Sequence, residues 1–374
     1  MKCHIYADNA ATTKLDTVAF EAMTPWLLEE YGNASQPYAF ARKPKKALAE
    51  ARTTIAECIG ALPEEIYFTS GGTESDNWVI KSSAFLDLDK RAMITSAFEH
   101  HAILHSCTAI DRLGYPVAYM WPTADGYITP EILEKYITDS TRIVSVMFAN
   151  NEIGTIQPIR ELCKVAHTHG ALFHTDAVQA VGHVKIDVHE LGVDFLSASA
   201  HKFNGPKGVG FLYIRKGVEL PPYADGGAQE NAHRAGTENI ASIIGMAAAL
   251  KANCDALEQN LQYISKLEHL LISMLDESEI AYRRNGGENR LPGLVSLSFP
   301  GKDGETILHR MDLMGISIST GSACDSVNTE ISHVLQAIML DEEHSKGTVR
   351  ISLGKNNTEA EAGRIAEALI RIIV

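Results

Sequence analysis

Residues 194–208 read Asp194-Phe-Leu-Ser-Ala-Ser-Ala-His-Lys-Phe-Asn-Gly-Pro-Lys-Gly208. The apolar residues Val193, Phe195 and Leu196 predict a buried strand, the Gly-Pro-Lys-Gly sequence a turn, and the apolar run 209–214 a second strand. Lys202 therefore stands at the mouth of a buried strand. A lysine there is costly unless a partner neutralises it or chemistry uses it. Desolvation makes a lysine amine nucleophilic, which is the route to Schiff-base chemistry. Taken alone, the segment also allows an ordinary strand-end lysine whose ammonium reaches solvent. The surrounding chain has to choose between the two.

Outward from this stretch, between about residues 65 and 215, short apolar runs alternate with helical patterns. Segments 66–69, 92–95, 117–120, 143–148, 171–174 and 195–198 are strand-like, and 159–169 is an amphipathic helix. Such alternation predicts an α/β fold with a mostly parallel sheet flanked by helices, its ligand at the carboxyl ends of the strands. From residue 251 the texture changes. Leu257, Leu261, Ile264, Leu267, Leu271 and Leu275 recur at helical spacing. A loop (284–293), a strand (294–299), a helix (304–314) and a last helix after Thr358, with Glu361 completing a capping box, follow. The expected division is a large domain, 15–250, and a smaller α+β domain, 251–374, joined by residues 1–14.

The 374 residues are 45% hydrophobic and 21% charged, with a formal net charge of −14. That balance argues against a broad nucleic-acid-binding face. No apolar run approaches membrane-spanning length, and 240–250 reads as a buried helix. The N-terminus lacks the apolar stretch of a signal peptide. Six cysteines are scattered with no Cys-x-x-Cys pair, so neither a zinc knuckle nor a disulfide framework is expected, and the compartment implied is a reducing cytoplasm.

Five polar clusters fall at the expected carboxyl edge. Thr69-Ser-Gly-Gly-Thr-Glu-Ser-Asp-Asn77 passes from strand to helix; it is either a plain turn or an anion cradle that uses glycine backbone and free helix N–H groups. Phe98-Glu-His-His-Ala102 offers a histidine able to stack or relay protons, or simply a structural one. His100, His101 and His105 lack the usual metal spacing, and no metal is expected. Ala149-Asn-Asn-Glu-Ile-Gly154 and His174-Thr-Asp-Ala-Val-Gln179 end two further strands, and Ser199-Ala-His-Lys202 is the fifth. Asp176 at a strand tip needs a cationic partner if buried. A Schiff-base lysine, an aspartate for a protonated pyridine, a phosphate-binding helix terminus and a stacking histidine together fit pyridoxal 5'-phosphate (PLP).

These segments, with Tyr6-Ala-Asp-Asn-Ala-Ala-Thr-Thr13, Arg234-Ala-Gly-Thr-Glu-Asn239, Gly321-Ser-Ala-Cys324, Ser332-His-Val-Leu335 and Arg350-Ile-Ser-Leu-Gly354, carry a family resemblance over nearly the whole chain. The chain resembles the cysteine desulfurases of the nitrogen-fixation and iron–sulfur-cluster type, in the class V aminotransferase group of fold-type I PLP enzymes. The resemblance implies that Lys202 carries PLP, that Asp176 pairs with the pyridine nitrogen and that Gln179 meets the ring oxygen. It gives His100 ring stacking and proton transfer, and Asn151 cofactor orientation and substrate contact. Gly72, Thr73, Ser199 and His201 would hold the phosphate, joined by Thr237 from the neighbouring subunit of a homodimer. Arg350 would clamp the substrate carboxylate, a geometry that suits guanidinium.

Cys324 is the implied nucleophile. Its thiolate would take the sulfur of L-cysteine as a persulfide, leaving alanine, and pass it to an iron–sulfur scaffold protein or a thiolation relay. Alternatives are a selenocysteine lyase, a class V aminotransferase or a PLP-binding scaffold without catalysis. The chain departs from the family at Gly32-Asn-Ala-Ser-Gln-Pro-Tyr38, at Ala228, Asn231 and Ala232, and at Asp325, whose carboxylate would raise a neighbouring thiol's pKa.

Overall fold

The computed structural model describes residues 4–86, 90–320 and 331–374. Its strands are β1 (Ile5–Tyr6), β2 (Ile66–Thr69), β3 (Ala92–Ser96), β4 (Val117–Met120), β5 (Thr141–Ser145), β6 (Leu172–Asp176), β7 (Phe195–Ser199), β8 (Gly210–Ile214), β9 (Arg283–Arg284), β10 (Leu294–Ser298), β11 (Ile316–Ser317) and β12 (Thr348–Ser352). Strands β2 to β8 form one sheet in the order β2-β8-β7-β6-β5-β3-β4. Neighbours from β7 to β4 are parallel, while β8 runs antiparallel to both β2 and β7. The expectation of a mostly parallel sheet holds, and the exception has a local cause. The short turn after Lys202 is too brief for a parallel crossover, so β8 returns directly beside β7.

Alternate residues of the central strands feed opposite faces, as the two-residue strand period requires. Leu196 and Phe211 join one apolar cluster, with Phe173, Ile55 and Met246. Phe195 and Leu212 join the other, with Trp78 and Ile103. Burial on both faces explains why these strands read as continuous apolar runs. Strand β5 stops at Ser145, short of 148, yet the N–H groups of Val146 and Phe148 still donate to His174 and Asp176 carbonyls (3.1 and 2.8 Å). The chain thus stays beside β6 as it rises toward the strand ends.

A further core gathers Leu267, Leu271, Leu275, Val295, Leu297, Ile365 and Leu369 around the antiparallel sheet β12-β10-β9. In the helix Leu257–Glu277 the buried stripe is Ile264, Leu267, Leu271 and Leu275. The helix Glu359–Ile373 begins with the expected Thr358–Glu361 capping box. Strand β1 pairs with β11, which places Ile5 and Ala7 in this core, while Val334 and Leu335 pack into the core of the large sheet. No single helix among the described residues is long and apolar enough to cross a membrane.

Candidate active site

The carboxyl ends of β2, β3, β5, β6 and β7 surround a cavity of about 550 Å³. Lys202, half-buried just beyond β7, donates from Nζ to the carbonyls of Ala10 (2.5 Å) and Ala11 (2.9 Å). Its neighbour His201 lines the same wall and meets Thr12 Oγ1 through Nδ1 at 3.1 Å. Burial, reinforced by Lys202 and Lys207, holds His201 down at about 4, so its ring is neutral at neutral pH.

Asp176 ends β6 and is 5% exposed. Its Oδ1 accepts from the Val178 N–H at 2.9 Å. Burial pushes the carboxyl up to about 6, against the pull of that hydrogen bond and of the Lys202 charge. Beneath it lies a second buried acid, Asp76, raised by burial and by Asp176. Around Asp76 stand His174 (Nε2 to Oδ1, 3.7 Å) and Ser197, whose hydroxyl also meets His174 Nε2 at 3.0 Å. Ser145 fixes the other ring nitrogen of His174 at 2.8 Å, and burial holds that ring down at about 3. Gln179 lines the cavity and donates from Nε2 to Ala10 O at 2.9 Å.

The helix Gly72–Ser83 begins at the cavity without a side-chain cap. Gly71, at φ +148°, adopts backbone that favours glycine, and a Cβ there would stand 3.3 Å from Ser199 Oγ. At Gly72 a Cβ would meet Val178 Cγ2 at 2.4 Å. Gly72, Thr73 and Ser199 therefore border a narrow cradle fronted by helix N–H groups, an arrangement that suits an anion. Glu74 fastens this loop: it accepts from Ser70 N–H (2.9 Å) and takes a two-point ion pair from Arg234 (2.8 and 3.1 Å).

His100 caps the helix His101–Asp111, its Nδ1 accepting from the Ala102 N–H at 3.1 Å. With Nδ1 so occupied, the ring proton is assigned to Nε2. Burial first, then the Lys202 charge and neighbouring histidines, lower His100 to about 4, so the neutral ring is the resting form. Asn151 lines the cavity, and its carbonyl accepts from Arg350 Nη1 at 2.9 Å. Arg350, 3% exposed on β12, gives Nη2 to Asp8 Oδ1 at 2.7 Å, while its buried Nε has no partner among the described residues.

Ten of the residues singled out in the sequence thus meet at one cavity. Thr237 borders a separate cavity of about 210 Å³ that shares only Ser70 and Gly208 with the first. Cys324 and Asp325 lie outside the described residues. On either side of that stretch, Ser319 exchanges backbone hydrogen bonds with Arg350 (3.0 and 2.6 Å), Ser332 donates to Glu152 (2.6 Å) and His333 to the Glu99 carbonyl (2.9 Å). Sequence reasoning missed Asp8, the carbonyls of Ala10 and Ala11, Asp76 and Glu230. Asp8, Ala10 and Ala11 sit inside the Tyr6–Thr13 motif, which was the available signal.

Comparison with known proteins fits this geometry. The aminotransferase class-V family profile matches residues 5–365. "Cysteine desulfurase IscS" of Dictyoglomus turgidum is 46% identical over 375 aligned residues, covering 100% of this chain and 95% of that protein. "Cysteine desulfurase IscS" of Methanosarcina thermophila is 44% identical, covering 99% and 92%. Among solved structures, a "NifS-like protein" superposes with a TM-score of 0.93 at 36% identity, covering 99% of both chains. "SspA in complex with cysteine" gives 0.84 at 35% identity, covering 95% of this chain and 100% of that one.

Proposed function

The chain belongs to the aminotransferase class-V family, and on that footing we propose that it is a PLP-dependent cysteine desulfurase, converting L-cysteine to L-alanine with a persulfide left on Cys324. The observation that carries the reading is the convergence of Lys202, Asp176 and the uncapped helix start at Gly72 on one cavity. The names of the relatives favour this activity over selenocysteine cleavage or transamination.

The residues present fit the cofactor. Gly71 and Gly72 form a cradle that a Cβ would fill or crowd, and Asp176 is a buried carboxyl close enough to Lys202 to feel its charge. Lys202 Nζ would hold the aldehyde carbon, Asp176 the ring nitrogen, and Gly72, Thr73, Ser199 and His201 the phosphate; Gln179 and Asn151 would orient the ring. Bound there, PLP supplies an electron sink for the bonds at the amino acid's α-carbon.

The protein's own groups then divide the work. Arg350, braced by Asp8 and the Asn151 carbonyl, binds the substrate carboxylate. His100 keeps its Nε2 proton available as a donor, because Nδ1 is tied to the helix start. The Cys324 thiolate accepts the substrate sulfur. The described residues on either side of it, Ser319 and Ser332 with His333, are held by Arg350, Glu152 and the Glu99 carbonyl.

The working unit in this reading is a homodimer, with Thr237 completing the partner's phosphate site. Support comes from exposed apolar side chains concentrated in one segment: Phe20, Leu27, Leu28, Tyr31, Tyr38 and Phe40. Ser35 of that segment donates to Glu238, next to Thr237, at 3.3 Å. The sulfur acceptor is a scaffold protein of iron–sulfur assembly or a thiolation relay, and the setting is the cytoplasm.

Purified protein supplied with PLP and L-cysteine should release alanine and, with a reductant, sulfide. Cys324→Ala should keep the cofactor's visible absorbance and lose both products. Alanine formed at an undiminished rate by that variant would sink the proposal.

A further inference from the structure

Cysteines that look unrelated along the chain meet in the fold. Cys58 lies in the last turn of the helix Arg42–Ile59, and Cys254 in the last turn of the helix Ile240–Asp255, 196 residues away. The Cys254 thiol approaches the Cys58 carbonyl at 3.9 Å, and the two thiols are close enough to influence each other's ionisation. Both are free and partly exposed, whereas Cys107 and Cys163 are buried.

Cys163 is the instructive contrast. It stands 3.7 Å from His167 Nε2, which in turn lies 2.8 Å from Asp194 Oδ2, so the three residues have the outline of a nucleophilic triad. Burial, with the Asp194 charge, pushes that thiol up to about 12, and it donates to the Gly192 carbonyl at 3.0 Å. Asp194 is also occupied by the Phe173 N–H and by Arg215. That group is a satisfied piece of the core.

We propose that Cys58 and Cys254 form an oxidisable dithiol, a modification site that reacts with small-molecule disulfides and closes to an intramolecular disulfide. The pair is electrically asymmetric. Interaction with the neighbouring Cys58 thiol, aided by the Lys251 charge, holds the Cys254 thiol below its ordinary value. The same contact, together with burial, pushes Cys58 up. Thiolate is the attacking form, so Cys254 reacts first. Its sulfur attacks a disulfide R–S–S–R; one R–S⁻ leaves and takes a proton, and a mixed disulfide remains on Cys254. Cys58 gives up its proton to solvent and attacks the Cys254 sulfur, expelling the second R–S⁻. In total the two thiols are oxidised by two electrons, and one disulfide is reduced to two R–SH.

Neither cysteine lines the catalytic cavity, so the site is separate from the desulfurase chemistry and does not rest on it. The consequence reaches a structural tie nonetheless. The helix Arg42–Ile59 also carries Arg52, which pairs with Glu230 through two contacts (2.8 and 2.6 Å). Glu230 in turn accepts from Phe68 N–H at 2.9 Å and anchors the segment leading to Thr237. Oxidation would fasten the far end of that helix to the helix Ile240–Asp255.

The test treats the PLP-loaded protein with oxidised glutathione, alkylates the remaining thiols and digests it without reductant for mass spectrometry. Expected is a peptide pair cross-linked through positions 58 and 254, reversed by a thiol reductant. Cys58→Ser should stop at glutathione bound to Cys254, and Cys254→Ser should leave Cys58 alkylatable, both with alanine production at the unmodified rate. The inference is overturned if both cysteines stay alkylatable in the folded wild-type protein, or if each carries glutathione without a cross-link.

Discussion

Asp8 and Arg350, 342 residues apart in sequence, form a close ion pair at the cavity: Arg350 Nη2 donates to Asp8 Oδ1 at 2.7 Å. Arg350 sits on β12 and Asp8 just beyond β1, so the pair links the first described strand to the last. A guanidinium 3% exposed needs such a partner, because a buried unpaired charge is strongly destabilising.

Asp8→Ala should therefore act twice. It should cost about 3 kcal/mol of stability, the lower end for breaking a buried pair. It should also raise KM for L-cysteine roughly tenfold, equivalent to about 1.4 kcal/mol, through loss of Arg350 alignment. Denaturant titration and steady-state kinetics read the two effects separately, and PLP content should not change.

Gly72→Ala tests the anion cradle. The added Cβ would stand 2.4 Å from Val178 Cγ2, so the helix start must shift. Overpacking of that kind costs about 1–3 kcal/mol, and PLP should dissociate roughly tenfold more readily. Equilibrium dialysis against PLP gives the measurement; unchanged affinity would show that the helix start does not hold the phosphate.

Glu99 gives stability a pH signature. It is fully buried, with Oε1 accepting from Ser96 (2.5 Å) and Met147 N–H (2.9 Å), while Oε2 has no partner among the described residues. Burial pushes it up to about 8, from an ordinary 4.5. Between those values the folded state binds the proton and the unfolded state does not. Its contribution is therefore complete below about 4.5 and is lost as pH rises through about 8, by at most about 1.4 kcal/mol per pH unit for one proton. His174, His100 and His201 act in the opposite sense, but their contributions level off near 6.5. Between pH 6.5 and 8, Glu99→Gln should flatten the decline seen in urea unfolding of the wild type.

Ala232→Gly should stabilise the protein. Glu230, Asn231 and Ala232 hold φ of +46°, +56° and +64°, three successive left-handed residues with side chains. Relief at Ala232 is worth about 1 kcal/mol. Thermal unfolding should show a higher midpoint with unchanged turnover.

The large sheet was readable because its strands are buried on both faces and therefore spelled as apolar runs such as Phe195-Leu196 and Phe211-Leu212. The lysine cavity was readable because strand ends carry their polar residues next in sequence: Asp176 closes β6, and His201 with Lys202 follows β7. The reversal of β8 was not read, although the brevity of the turn at Gly205–Gly208 implied it. What stayed hidden depends on distant partners. Nothing near Arg52 names Glu230, nothing near Arg350 names Asp8, and Cys58 gives no hint of Cys254. The left-handed path through Ala232 was equally hidden, since alanine carries none of the signal that glycine or asparagine would give.

The segment from Ile5 to Thr13 pairs with β11, accepts Ser352 N–H at Ala7 and receives the Lys202 amine at Ala10 and Ala11. During translation those nine residues leave the ribosome long before their partners at 316–352 exist. The nascent chain can assemble its large sheet early, but the lysine's carbonyl seat and the arginine's acidic brace must wait for the closing stretch of synthesis. Catalytic competence is thus a late event in the life of each polypeptide, gated by the return of its own beginning.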